Sequence, residues 1–224
     1  MNVDFSGLRT KMVDGQLRTT DVTDVAVLDA MGSVPREAFV DPARKILAYI
    51  DEDIRLGSTT PGQAPRYMME ASPFGKLLQL AEITPTDFVL DVGCGTGYSA
   101  AVLSRIASSV VALETDPSLA QRATTTLSSL GHDNVAVIEG NLADGYTPEA
   151  PYDVIILEGA VEQVPAALFA QLRQGGRLVA IEGSGHAGIA RLYVKSNGDV
   201  TARRAFNAAV KPLPGFEKTH SFEF

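Results

Sequence analysis

The chain has little of what builds small secreted or metal-held proteins. Among 224 residues there is one cysteine, Cys94, so no internal disulfide forms and the fold rests on burial. The three histidines, His132, His186 and His220, are scattered and make no metal-ligand spacing with it; no metal site is expected. Nowhere do about 20 apolar residues run uninterrupted by charge, which argues against a membrane span. The opening MNVDFSGLRTKMVDGQ lacks the roughly 7–15-residue apolar run of a signal peptide. Positive charge is also short: 19 Lys and Arg stand against 27 Asp and Glu, a net of −8. An acidic chain repels phosphate backbones and anionic lipid, so neither nucleic acid nor a membrane is an expected partner. There is no internal repeat, low-complexity tract or Pro/Gly/Ser-rich linker. A soluble cytoplasmic protein is the expectation; the sequence is silent on oligomeric state.

What is present is a 45% hydrophobic chain, long enough to bury roughly 70% of its unfolded surface. Two styles of sequence meet near residue 85. From Phe5 to about Ile50 apolar residues recur at helical spacing, with Val22, Val25, Leu28 and Met31 on one face. Pro35 and Pro42 divide this stretch into three short helices. Residues 51–69 lose the period and carry Gly57, Pro61, Gly62 and Pro65, which predicts a long loop of the kind that carries function. A helix is expected over 72–80. Beyond it, apolar runs alternate with helical segments: strands in DFVLDVG, SVVALE, NVAVIEG, YDVIILEG and GRLVAIEG, with a helix in VPAALFAQLRQGG before the last of these. RLYVKS and TARRAFNAAV read as terminal antiparallel strands around a turn at Asn197-Gly198. The expected fold is α/β, a doubly wound, mostly parallel seven-stranded sheet. Residues 1–70 would form an N-terminal helical extension and loop, and 71–224 the sheet domain, together one compact unit.

The strongest local motif is Asp91-Val92-Gly93-Cys94-Gly95-Thr96-Gly97, placed between a buried strand and a helix. Glycines there permit positive φ and close approach of a ligand to the backbone, and the helix start favours an anionic group. Glu114 ends the next strand, 23 residues after Asp91, where a carboxylate accepts from ribose hydroxyls, with Thr115 beside it. The set describes a site for an adenosine-bearing cofactor; a tight turn without a ligand, a helix-capping Asp91 and a solvated Glu114 are the bland alternatives. A dinucleotide fingerprint needs a small residue where Tyr98 stands, so a dehydrogenase reading is disfavoured. Asn141-Leu142 after the third strand, and Glu158 ending the fourth, face the same side. Each has a plain alternative: a neutral turn asparagine and a capping acid.

The D-x-G-x-G-x-G pattern resembles motif I of the class I S-adenosylmethionine-dependent methyltransferases, whose sheet is Rossmann-like. The resemblance implies S-adenosyl-L-methionine as cofactor, Asp91 near its methionine ammonium, and Glu114 on its ribose. Gly93, Cys94, Gly95, Thr96, Gly97, Thr115, Asn141, Leu142 and Glu158 would line the rest of the site. Met12-Val13-Asp14-Gly15-Gln16-Leu17-Arg18, LDAMGSVPREAFV and LAYIDEDIRLG narrow it further, because they resemble the start of the protein-L-isoaspartate O-methyltransferases. With VLDVGCGTGYSAAVLSRI and APYDVIILEGAVEQVPAALFAQLRQGGRLV, the likeness covers roughly residues 10–182. It implies a protein or peptide substrate bearing isoaspartate.

The substrate half departs from that family. Where the family has a G-Q-T-x-S-x-P-type stretch, this chain reads Ser58 to Glu70 with Thr59 and Thr60 before the Gln-x-Pro and Arg66 after it. Thr59, Thr60 and Arg66 are the loop's candidates for the substrate pocket, Arg66 as the cation for an anionic group. A carboxylate acceptor is ionised at neutral pH, so the absence of an obvious general base is no objection. Methyl transfer to another acceptor, and cofactor binding without catalysis, are the two rival readings. The tail from Pro212 to Phe224 has three open fates: over the pocket, on the sheet edge, or on a partner.

Overall fold

Along the central strands the side chains alternate between two faces, and both faces are covered. Val89, Ala112, Val154, Ile156 and Val179 belong to one apolar cluster, and Leu90, Val111, Ile155, Leu157 and Leu178 to the other. A strand buried on both sides is written as an unbroken apolar run, which is why these segments stand out in the sequence. The computed structural model describes residues 3–57, 62, 64–184 and 187–218. In chain order the elements are α1 (Phe5–Met12), α2 (Val25–Ser33), β1 (Ile54–Arg55), β2 (Tyr67–Met68), α3 (Ala71–Ala81), β3 (Phe88–Val92), α4 (Tyr98–Leu103), β4 (Ser109–Glu114), α5 (Pro117–Ser129), β5 (Val135–Glu139), β6 (Tyr152–Val161), α6 (Ala166–Ala170), β7 (Leu172–Ser184), β8 (Ala187–Ser196) and β9 (Asp199–Ala208).

The seven-stranded sheet runs β5-β4-β3-β6-β7-β8-β9. Its first five strands pair in parallel, and β8 and β9 follow antiparallel. Strand order reverses between β3 and β6, so a crevice opens beyond their carboxyl ends, where open α/β sheets bind ligands. Its rim is the glycine turn after β3 on one side and the end of β6 on the other. In β6 the pairing slips between Ile156 and Ala160. Such an irregularity re-aims side chains beside a site, and Glu158 lies inside it. The terminal hairpin turns at Asn197-Gly198, both with positive φ, as the sequence predicts.

The N-terminal helices dock on α3, and a glycine lets them. A Cβ built on Gly75 would stand 3.0 Å from Leu17 Cδ2 and 3.3 Å from both Met31 Sδ and Val22 Cγ2. Gln79, a turn further along α3, receives the amides of Thr23 and Asp24 at 2.7 and 2.9 Å and donates to the Asp21 carbonyl at 3.0 Å. It thereby holds the entry to α2, whose first turn Asp24 caps through Val27 N at 3.1 Å. Arg177 of β7 ties the far end of α3 to the sheet by donating to the carbonyls of Ala81 and Glu82.

Three predicted segments differ. Both N-terminal α-helices precede Pro35, only 3-10 turns follow it before β1, and α2 begins after Val22 with Val25 exposed. The expected loop over 51–69 contains a short antiparallel ribbon, Ile54 facing Met68 and Arg55 facing Tyr67. The expected helix over 164–176 keeps helical form only in α6. Gln171 ends it by taking the Tyr146 amide on Oε1 and giving Nε2 to the Asp144 carbonyl, after which Leu172 pairs with Tyr152.

The tight fit at Gly75 gives the first prediction. Gly75→Val overpacks the helix contact and is expected to cost about 1–3 kcal/mol, read from urea unfolding. A stability equal to the parent's would mean that the helices do not dock as described.

Candidate functional site

Backbone hydrogen bonds shape the glycine turn. The amides of Gly93 and Cys94 both donate to the Leu113 carbonyl, at 2.8 and 3.1 Å, and Gly97 N donates to the Cys94 carbonyl at 2.8 Å. Gly93, Gly95 and Gly97 have φ of 88°, 58° and 96°, values that side chains resist. The three serve different ends. A Cβ on Gly97 would meet Leu127 and Ala123 of α5 at 3.1 and 3.2 Å, so Gly97 serves helix packing. Thr96 gives its hydroxyl to the Phe39 carbonyl at 2.5 Å and pins the turn to the N-terminal segment. Gly93 and Gly95 face the crevice.

Buried carboxyls crowd that crevice. Asp91 accepts from Ser99 Oγ at 2.7 Å on Oδ2, while its Oδ1 has no hydrogen-bond partner among the described residues. Burial pushes its carboxyl up to about 7, against the Ser99 hydrogen bond; Glu114 adds to the rise and Arg66 opposes it. Glu158 is buried with Oε1 equally unpartnered among the described residues. Burial first, and then the charge of Asp91, holds it well above the ordinary carboxylate range. Tyr98 lines the same small cavity as Glu158, its hydroxyl also without a partner among the described residues. Arg36 lies over the Tyr98 ring at 4.6 Å and donates to the carbonyls of Ala48 and Met69, both at 2.7 Å. Buried polar atoms left open are rare and call for an explanation. Of the six such atoms among the described residues, those of Asp91, Tyr98 and Glu158 lie at the switch crevice.

Glu114 is fully buried, and its partner is Arg66. The guanidinium donates from Nε to Oε1 and from Nη2 to Oε2, each at 3.1 Å, and from Nη2 to the Gly93 carbonyl at 2.7 Å. Backbone amides complete the carboxylate: Gly95 N on Oε2 at 2.7 Å, Thr115 N and Asp116 N on Oε1 at 2.9 and 3.1 Å. The two-pronged geometry is the strong form of the pair. Arg66, expected from the sequence as the cation for an anionic substrate group, is here buried and committed to Glu114. The antiparallel ribbon, through Leu56 N on the Arg66 carbonyl at 2.9 Å, turns the side chain inward onto a buried carboxylate that balances its charge.

Two leucines close the rest. A Cβ on Gly95 would stand 2.5 Å from Leu56 Cδ1, and one on Gly93 would stand 2.6 Å from Leu213 Cδ1 and 2.7 Å from Arg66 Nη2. Leu213 arrives on the tail, which runs beside β6 with Ala160 N on the Lys211 carbonyl and Leu213 N on the Ala160 carbonyl. Of the three fates left open for the tail, its described part takes the first. Between these segments a cavity of about 10 Å³ remains.

Of the other sequence candidates, Thr59 and Thr60 lie outside the described residues. Asn141 makes local turn bonds: its Oδ1 takes the Ala143 amide at 3.2 Å and its Nδ2 donates to Asp144, the bonding that asparagine favours in turns, with a second lone pair left on Oδ1. Leu142 is buried next to it. Sequence reasoning missed Ser99, Arg36, Leu56 and Leu213. The last two leave no local signal, since only the tertiary path brings them to the glycines.

The pairing also enlarges what a Glu114 substitution does. Glu114→Ala strands Arg66 as an uncompensated buried charge, and removing one partner of such a pair costs about 3–5 kcal/mol of stability. Denaturant unfolding of the single variants and the double variant Arg66→Met/Glu114→Leu checks it. The single loss should be large and the double loss smaller; equal losses would remove the pair from the account.

The chain matches the family model of protein-L-isoaspartate(D-aspartate) O-methyltransferase over residues 9–216. It is 38% identical over 211 residues to the protein-L-isoaspartate O-methyltransferase of Koribacter versatilis (strain Ellin345), covering 92% of this chain and 90% of that one. The enzyme of the same name from Protochlamydia amoebophila (strain UWE25) is 42% identical over 170 residues, 75% of this chain and 77% of its own. A solved protein-L-isoaspartate O-methyltransferase superposes with a TM-score of 0.79 at 25% identity; it covers 92% of this chain, which spans 66% of that longer one. The fold also matches, at a TM-score of 0.73 and 18% identity over 95% of this chain and 99% of the other, a Plasmodium falciparum protein solved in complex with S-adenosyl-L-homocysteine. The chain belongs to the protein-L-isoaspartate(D-aspartate) O-methyltransferase family.

Proposed function

We propose that this chain is an S-adenosylmethionine-dependent protein carboxyl methyltransferase that acts on isoaspartyl residues of damaged proteins. The observation that carries the reading is the set of buried acids around the glycine turn, in a chain that matches the family over residues 9–216. The residues fit the cofactor in kind. The free oxygens of Asp91 and Glu158 suit a cationic or amine-bearing group, Gly93 and Gly95 admit a ligand against the backbone, and Glu114 suits ribose hydroxyls. The fit requires Arg66 and the leucines to withdraw, because the cavity of about 10 Å³ holds no nucleoside.

S-adenosylmethionine supplies an electrophilic methyl group on a sulfonium. What the chain contributes is alignment and exclusion of water around an in-line displacement. Asp91 and Glu114 would hold the donor from two strand ends. Glu158, at the β6 irregularity, would stand where donor and acceptor meet. Burial holds its carboxyl well above the ordinary carboxylate range, which lessens its repulsion of an incoming carboxylate. The acceptor needs no base, since a carboxylate is already ionised. Residues 1–70 would carry the substrate side and 71–224 the cofactor side of one unit. No described helix is long and apolar enough to cross a membrane; a cytoplasmic place of action, and proteins and not nucleic acid as partners, belong to the proposal.

Transfer of labelled methyl from S-adenosylmethionine to an isoaspartyl peptide, with its aspartyl isomer as control, tests it. Label on the isoaspartyl peptide alone is expected. Cofactor binding without label on either peptide would contradict the substrate and favour another acceptor.

A further inference from the structure

Arg66 occupies the carboxylate that the cofactor needs. From this we infer that the chain holds its own cofactor cleft shut, with Arg66 as a latch on Glu114 that must let go before S-adenosylmethionine enters. The inference rests on the reading of the cleft as the cofactor site. Three observations carry it. The latch is complete, since both oxygens of Glu114 are saturated by Arg66 and backbone amides. The closure is continuous, because Leu56 covers Gly95 while Leu213 and Arg66 cover Gly93. The two closing segments are also tied together: Asp53, just before β1, accepts the amide of Lys211 in the tail at 2.7 Å and that of Glu70 at 2.8 Å.

Against this closure stand the free oxygens of Asp91 and Glu158, fully desolvated and incompletely paired. A cleft whose only purpose was packing would not leave them so. The closed state satisfies Glu114 and leaves its neighbours waiting. An open state exposes all three acids to a ligand that carries positive charge. The cofactor and the Arg66 guanidinium are alternative cations for one acidic crevice, and the ribbon and tail move with the exchange. A closed state that dominates lowers apparent affinity by the fraction of open molecules.

Cys94 is an internal probe, being the only cysteine of the chain and buried between the two covered glycines. Its reaction with dithionitrobenzoate reports opening without any cofactor. Arg66→Ala, and Arg66→Gln as a gentler variant, are expected to speed that reaction by about tenfold or more while circular dichroism shows a folded protein. The sign is diagnostic, because burial holds this thiol well above its ordinary range and Arg66 opposes that rise; losing the charge alone would slow the reaction. S-adenosylhomocysteine should bind the variants about tenfold more tightly than the parent, by calorimetry, and should protect Cys94 in them. In the parent, binding should release the Leu56 amide, bonded to the Arg66 carbonyl, to hydrogen exchange. An unchanged Cys94 rate in a folded variant overturns the latch, as does equal affinity of parent and variants or a Leu56 amide that stays protected on binding. Faster Cys94 reaction with no binding by any of the proteins upholds the closure and overturns the cofactor reading instead.

Discussion

A guanidinium and a carboxylate, both buried, meet at the centre of this protein, and much around them is arranged by that meeting. Arg66 and Glu114 are each almost wholly removed from water. Such a pair adds little net stability, because desolvation offsets most of the attraction. What it gives is position: bonds to both Glu114 oxygens and to the Gly93 carbonyl hold Arg66 in one place. Leu56 and Leu213 then have fixed places over the glycines. Asp91 and Glu158, lacking such a partner, are pushed toward the protonated form by burial. One arginine neutralises an acidic crevice that would otherwise be costly to close.

The crevice follows from topology. Strand order reverses between β3 and β6, so the glycine turn, Glu114 and Glu158 come from three neighbouring strand ends and share one opening. The same geometry serves many unrelated ligands. What makes it specific here is the chemistry at the rim: acids where a phosphate-binding site would show bare amides, and a bulky Tyr98 where a dinucleotide turn has a small residue. The N-terminal helices, packed through Gly75, bring Arg36 and Phe39 to the back of the turn.

Signals that live in a few consecutive residues were readable from the sequence. The buried strands, the glycine turn, Asn197-Gly198 and the position of Glu114 all fall in this class, because period, turn chemistry and strand ends are local. Residues whose role depends on where distant chain returns were not. Arg66 has no local mark of burial; its loop composition reads as solvated, and the ribbon from Ile54 to Met68 reverses that. Gln171 sits in a helical pattern but is taken by the 144–146 turn. Leu213 lies in a tail whose sequence fits three destinations equally well.

The most direct measurement is a crystal structure of the unmodified chain with S-adenosylhomocysteine bound. The ribose hydroxyls are expected on Glu114, with the Arg66 guanidinium gone from it and Leu56 and Leu213 drawn back from the glycines. A nucleoside seated in the crevice with Arg66 still paired to Glu114 would contradict that expectation.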